Sequence, residues 1–412
     1  MTHDPIASYR ALLAVPSLQR ILLSMAIARI GGAMLSIAIV LFALTHYRSP
    51  ELAGLVTFVS IMPGLVVSPI AGALLDRHGR TRLVMLGYLV GAGSLFLIGG
   101  LSLADSLPAW LLVVISAAAS LTAPLSNTGL RSLFPIIVPQ HLWGRANAID
   151  SNGYLASTLI GPPIAAALVQ LIGGPATLII VGFLLAAAAL ALVGTVDPAT
   201  TAKSADNLLR DAWEGVLYTW RNRTIRGLGF MMTMLNMSGG VLTIVVPVIV
   251  LNRLHESPAL VGGAWALTGA CGMVTALWFG RLDSRGREKG WLVWSTLGSA
   301  IAIALLLLSP SIPTLLLAMA ITGLLNGPLD IALFTLRQRR TDPAWMGRAI
   351  AVSASLNFSG YPIGSAVSGA LVDRSLEITI VLGVATCLLS ALFAWWQIPD
   401  EVTQPAAAPV EA

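Results

Sequence analysis

Roughly twelve blocks of about 20 apolar residues, parted by short charged or Gly/Pro-rich segments, make up nearly all of this chain. Each is long enough to cross a hydrocarbon core about 30 Å thick. In lipid a backbone must satisfy its own hydrogen bonds, so such blocks fold as helices or as a closed barrel. A barrel needs polarity that alternates residue by residue. These blocks lack it and are rich in Ala, Leu and Gly, so helices are expected. Charged residues are 10% of the chain and hydrophobic residues 56%, too little charge to wet a globular surface. The expected spans are 20–45, 52–75, 82–103, 108–134, 147–172 and 175–196, then 226–251, 257–282, 289–309, 312–336, 348–373 and 376–398.

The two sets of six are copies. Gly144-Arg145-Ala146-Asn147-Ala148 reappears as Gly347-Arg348-Ala349-Ile350-Ala351, a shift of 347 − 144 = 203 residues. Downstream, Gly161 meets Gly364 and Ala167-Leu168-Val169 meets Ala370-Leu371-Val372. Upstream, Ala123-Pro124-Leu125 meets Gly327-Pro328-Leu329 at a shift of 204. An apolar chain whose half-length unit is written twice is expected to form two pseudo-symmetric six-helix bundles.

The basic residues orient it. With an even number of spans both termini share one side. Of the 24 Lys and Arg residues, only Arg48, Arg253 and Arg374 fall on the other side and Arg29 falls deep within a span; the remaining 24 − 4 = 20 sit on the terminus side, a few of them near span ends. Both termini are therefore expected in the cytoplasm of a cell whose inner membrane the chain spans. The net charge of +5 reflects that asymmetry and not nucleic-acid binding. The organisation expected is an N-terminal segment 1–19, a bundle 20–196, a linker 197–225, a bundle 226–398 and a disordered tail 399–412. Residues 197–206 read as a flexible stretch. The following Leu208–Trp220 puts Trp213, Val216, Leu217 and Trp220 on one face, as in a helix lying at the membrane surface. The polar opening and full-length first span argue against a cleavable leader. Cys271 and Cys387 both fall inside spans, so no disulfide framework or metal cage is expected, and no cofactor.

Between the second and third spans lies Gly72-Ala73-Leu74-Leu75-Asp76-Arg77-His78-Gly79-Arg80-Thr81-Arg82, a basic turn opened by one acid. Gly79 suits a tight turn and Gly72 a close helix approach. A degenerate copy, Gly280-Arg281-Leu282-Asp283-Ser284-Arg285-Gly286-Arg287, follows the eighth span. This closely resembles the cytoplasmic signature of the major facilitator superfamily. The resemblance implies a twelve-helix transporter whose loop acids meet helix N-termini of the opposite half: Asp76 near Arg348, and Asp283 near Arg145. A carboxylate there satisfies orphan N–H groups and the positive end of the helix dipole, worth about 0.3–1 kcal/mol. Such contacts would latch the outward-open state. The alternative is that these charges only mark the inner side.

The fifth span carries Gly153 and Gly161-Pro162-Pro163 among small residues. It resembles the Gly/Pro-rich fifth-helix motif of the superfamily's antiporters, with alanines in place of the closing glycines. Together with the linker helix, the pattern looks most like the bacterial branch of enterobactin and macrolide exporters. That implies export of a small amphipathic compound, such as a drug or siderophore, with protons as the coupling ion and a monomer as the working unit. Import or facilitated passage of a small metabolite is the alternative; a membrane enzyme or a sensor is remote. No catalytic cluster or nucleotide-binding loop is evident, so the chain is not read as an enzyme.

Polar residues within spans cost free energy and so mark function. The first span offers Arg29, Gly32 and Ser36, and the seventh Asn236, Gly240 and Thr243. Ser116, Ser120, Asn127 and Arg131 recur on one face of the fourth, and Thr322, Asn326, Asp330 and Arg337 on one face of the tenth. By resemblance those four helices line the central cavity. Arg29 and Asp330 are expected to oppose each other across it, with Asp330 taking and releasing a proton; a structural ion pair or a single helix–helix hydrogen bond is the other possibility. Asp150 is expected to pair with Arg80 or Arg131. The Arg-x-x-x-Gly pattern of proton antiporters does not occur in the fourth span.

Overall fold

The computed structural model describes residues 9–130, 133, 137–195, 208–308, 311–342 and 346–400. They form helices and, among the described residues, no strand. Among the described residues eleven helices are long and apolar enough to cross a membrane. The eleventh expected span, Met346–Val372, is a helix of 27 residues. It falls outside that set because Ser353, Ser355, Asn357, Ser359, Tyr361, Ser365 and Ser368 interrupt its apolar sequence. Its length suffices and several of its polar groups are spent on a neighbouring helix, as described below.

Two spans are broken, and proline explains both. The second runs as Pro50–Val59 and Met62–His78, with Pro63 just past the break. The fourth runs as Ala109–Ser120 and Ala123–Gly129, with Pro124 just past its break. A proline lacks the N–H that would continue the ladder, and its ring strikes the carbonyl four residues back. The two breaks abut: Gly64 lies directly against the Ser120 carbonyl, which a side chain at 64 would displace. The fifth span, Trp143–Ile172, instead carries Pro162 and Pro163 without breaking.

Duplication extends from sequence to packing. In the first half the first span (Leu18–His46) packs on the fifth and on the sixth (Gly174–Ala191), and the third (Arg80–Leu103) packs on the sixth. In the second half the seventh (Arg223–Val248) packs on the eleventh and on the twelfth (Leu376–Gln397), and the ninth (Glu288–Ala304) on the twelfth. The glycine contacts correspond as well. A Cβ on Gly161 would lie 2.6 Å from the Ala33 Cβ, and its copy Gly364 lies against the Met237 backbone. Gly360 abuts the Thr233 carbonyl and Gly240 the Tyr361 carbonyl, so the seventh and eleventh helices meet backbone to backbone.

Among the described residues the halves touch chiefly through two helix pairs. The eleventh span packs along Pro50–Val59 but scarcely along Met62–His78, and Gly54 lies against the Ser365 carbonyl and Gly369. The eighth span (Pro258–Phe279) packs on the fifth, where a Cβ on Gly262 would lie 2.7 Å from the Pro163 Cα. Gln170 Oε1 accepts from the Ala259 N–H at 3.3 Å at the same end. Both seams therefore close at the end away from the termini.

The linker helix, Leu208–Arg221, has its apolar face outward: Trp213 is 66% exposed and Trp220 58%. It is tied to the turn after the tenth span, Ile312–Arg339, since Tyr218 Oη accepts from the Asp342 N–H at 3.0 Å. Asn222 Nδ2 donates to the Arg340 carbonyl at 2.9 Å. The flexible stretch expected at 197–206 and most of the tail, 401–412, lie outside the described residues.

Candidate functional site

The interior charges are arranged differently from the expected Arg29–Asp330 opposition. Arg29 Nη2 lies 2.5 Å from Asp150 Oδ1, and Nη1 donates to the Asp150 carbonyl at 2.5 Å. The Asp150 side chain is 1% exposed and that of Arg29 20%. The reason is local. Asp150, Gly153 and Tyr154 fall at i, i+3 and i+4, one face of the fifth span, and that face meets the first. Gly153 leaves the guanidinium room, since a Cβ there would stand 3.6 Å from Nη1. The Tyr154 ring receives the guanidinium at 6.0 Å. Arg29 therefore pairs with Asp150, for which Arg80 or Arg131 was the expected partner; Arg131 lies outside the described residues.

Asp330 stands apart. It is exposed, one turn from exposed Asn326, and makes no hydrogen bond or ion pair among the described residues. On the same helix Leu317 and Leu324 mark the lipid face, 53% and 43% exposed. At about 100° per residue, Asp330 is turned roughly 120° from Leu324 and Asn326 roughly 160°. Both therefore face inward. Arg337, two turns further along, is 5% exposed. In the amide orientation its neighbours require, Asn357 Oδ1 accepts from Arg337 Nη2 at 2.7 Å and Asn357 Nδ2 donates to the Ser353 carbonyl at 2.8 Å.

Other expected site residues hold helices together. Asn236 Nδ2 donates to the Asn357 carbonyl at 2.9 Å, and Thr243 Oγ1 lies 2.7 Å from Tyr361 Oη. Ser36 Oγ donates to the Ala33 carbonyl of its own helix at 2.8 Å. Gly161 serves the contact between first and fifth spans, while Pro162 and Pro163 face Gly262 of the eighth. The Asn127 side chain lies outside the described residues.

In the loop signatures, Gly79 has φ 90° and Gly286 φ 72°, a region that disfavours any residue with a Cβ. Gly72 lies within the helix Met62–His78. The side chains of Asp76, Arg77 and Arg348 lie outside the described residues. Asp283 does not reach the fifth span. Its Oδ1 accepts from the Arg285 N–H at 3.1 Å within its own exposed turn, beside exposed Arg285 and Arg287. The buried carboxylate of this loop is Glu288, which the sequence reading passed over. It is 2% exposed, lies 2.6 Å from Arg339 Nη1 and accepts from Ser284 Oγ at 3.1 Å. An acid at the first turn of a helix was its only signal.

A shallow depression of about 430 Å³ lies at the closed end, lined by Leu44, Thr45, Arg48, Pro50, Leu251 and Asn252. It is remote from the polar stripes, so the candidate site rests on the placement of Asp330, Asn326 and the Arg29–Asp150 pair.

Comparison with known proteins fits this architecture. The family model of the Major Facilitator Superfamily matches residues 21–285 and again 228–412. The uncharacterized MFS-type transporter y4rN of Sinorhizobium fredii is 36% identical over 405 residues, covering 96% of this chain and 98% of the relative. The multidrug efflux pump Tap of Mycobacterium tuberculosis is 24% identical, covering 86% and 87%. Macrolide efflux protein A of Streptococcus pyogenes is 22% identical, covering 85% and 87%. Among solved structures, a mutant of the nucleoside transporter NupG superposes with a TM-score of 0.74 at 15% identity, over 93% of this chain and 100% of that one. A bacterial homologue of the lysosomal transporter Spinster, in an inward-facing and occupied conformation, gives 0.72 at 13% identity, over 94% and 96%. The chain belongs to the Major Facilitator Superfamily and is a multi-pass membrane transporter of that family.

Proposed function

We propose that this transporter exports a small amphipathic compound across the inner membrane in exchange for protons. The observation that carries the reading is Asp330, an inward-facing carboxylate with no partner among the described residues, on a helix expected to line the cavity. A carboxyl so placed binds and releases a proton as the cavity opens to each side in turn. Relatives named for multidrug and macrolide efflux support the export direction. The excess of Lys and Arg on the terminus side supports cytoplasmic termini, and hence an inward-open state when the seams at Gly54 and Gly262 are closed. In the opposite state Asp76 and Asp283 engage the starts of the eleventh and fifth spans and hold the inner end shut. The chain is divided functionally at the linker, with 20–196 and 226–398 rocking as two monomer-borne bundles.

The test is cellular accumulation of dyes, antibiotics and siderophores, with and without a protonophore. Export predicts lower accumulation in expressing cells, restored by the protonophore. Higher accumulation would reverse the direction and favour import.

A further inference from the structure

We propose that the rim on the terminus side, where the linker helix meets the ends of the seventh and twelfth spans, binds one anionic phospholipid. Arg223 and Arg226 hold its phosphate, and Trp220, Phe230 and Phe393 flank its acyl chain. The proposal goes beyond the export reading and uses no step of it.

Three arginines gather in this corner. Arg221 ends the linker helix, and Arg223 and Arg226 lie in the first turn of the seventh span. The last two reach one place from adjacent turns. Arg223 Nη2 donates to the Trp396 carbonyl at 2.9 Å, and Arg226 Nη2 donates to Oε1 of the next residue, Gln397, at 3.2 Å. Arg226 Nη1 donates to the Trp220 carbonyl at 3.0 Å, and its guanidinium lies 5.7 Å over the Trp220 ring. None of the three arginines forms an ion pair among the described residues. Asp400, just past the twelfth span, is held by Lys289 at 2.9 Å, and Glu214 lies about two turns before the linker helix ends.

Closing the carbonyl end of the twelfth helix accounts for part of this arrangement. A helix C-terminus carries about half a negative charge, however, which two arginines exceed. Neither guanidinium spends all its donors there, since Arg223 gives one hydrogen bond and Arg226 two. Such forks match the oxygens of a phosphate.

The rings beside them select a lipid over a soluble anion. Arg223, Arg226 and Phe230 fall at i, i+3 and i+7, one face of the seventh span. Phe230 therefore lies about 10 Å deeper than Arg223 along the helix. It meets the Trp220 ring edge-on at 6.0 Å and stacks on Phe393 of the twelfth span at 5.6 Å. Exposed Trp395 and Trp396 and exposed Leu389 and Leu392 of the twelfth span border this strip. Charge above and an aromatic strip running into the apolar zone match a headgroup with its chain. Free phosphate would leave the strip without a role.

The experiment titrates the purified full chain in detergent with dioleoyl phosphatidylglycerol, dioleoyl phosphatidylcholine or inorganic phosphate, and counts bound molecules by native mass spectrometry. Phosphatidylglycerol should bind about tenfold more tightly than phosphatidylcholine, and inorganic phosphate should neither bind nor displace it. Arg223→Gln, at an exposed residue with a single hydrogen bond, should cut that preference about threefold, and adding Arg226→Gln should bring it within about twofold of none. Arg223→Lys with Arg226→Lys should keep more than half of it, which separates charge from fold. Arg10→Gln removes an exposed arginine of the first half and should leave it unchanged. The proposal is overturned by a wild type without headgroup preference, by an Arg223→Gln variant that keeps it in full, or by an equal loss in Arg10→Gln, which would mean diffuse charge. Displacement of the lipid by inorganic phosphate would make the site one for a soluble anion and overturn it too. Binding needs neither gradient nor cargo, so this result and that of the export test are independent.

Discussion

Arg29 of the first span grips Asp150 of the fifth twice, through the carboxylate and through the backbone carbonyl, each at 2.5 Å. One grip depends on the Asp side chain and the other on the position of the helix. The pair thus couples ion pairing to the packing of two spans that also meet at Gly161 and Ala33.

Removing either member breaks an ion pair whose carboxylate is almost wholly buried. Asp150→Asn and Arg29→Gln should each destabilise the protein by about 3 kcal/mol, whereas the double substitution should recover more than half of that loss. Melting temperatures of the four proteins in detergent provide the cycle. Strictly additive losses would mean the two residues act independently.

Gly153 bears on the same contact from another side. Alanine there meets the Arg29 guanidinium at an ordinary 3.6 Å, but leucine would occupy its space. Gly153→Ala should transport normally and Gly153→Leu should resemble Arg29→Gln. Equal behaviour of the two variants would remove the steric argument.

The backbone seam of the second half gives a prediction of sign. Gly360→Ala drives a methyl into the Thr233 carbonyl and should cost about 1–3 kcal/mol. Gly93→Ala has nothing within 4 Å of the new atom. It should stabilise by up to about 1 kcal/mol through helix propensity. Thermal unfolding of both variants decides it; a shift in the same direction for the two would contradict the assignment of Gly360 to close packing.

Closure of the end away from the termini should yield to a wedge. Leucine at Gly262 cannot coexist with Ala166 and Pro163, each of which a Cβ there would meet at 2.7 Å. Spin labels at exposed Thr45 and Glu256 should move apart in Gly262→Leu, and transport should fall severely. An unchanged distance distribution would show that this seam does not seal that end.

Glu288 is nearly inaccessible and faces Arg339 at 2.6 Å. Glu288→Ala should lower stability by about 3 kcal/mol, with Glu288→Gln in between, because the glutamine keeps the Ser284 hydrogen bond and loses only the charge. An alanine variant as stable as wild type would mean Arg339 is satisfied without Glu288.

The helical membrane architecture and its duplication were legible in the chain because both are local or periodic properties. Apolar length determines a span, and a repeated Gly-Arg-Ala or Gly161/Gly364 survives translation into matching helix contacts. Even the turn glycines Gly79 and Gly286 announce themselves by type. The pairing of interior charges was not legible. Arg29, Asp150 and Asp330 are each recognisable as costly within a span, but which two meet depends on helix rotation and on the room that Gly153 leaves. Glu288 escaped notice because its burial is created with Arg339, fifty-one residues away, and by no pattern around it. Sequence determined what must be satisfied; only packing decided by whom, since an ion pair forms over a few ångströms and a difference of one helical face redirects it.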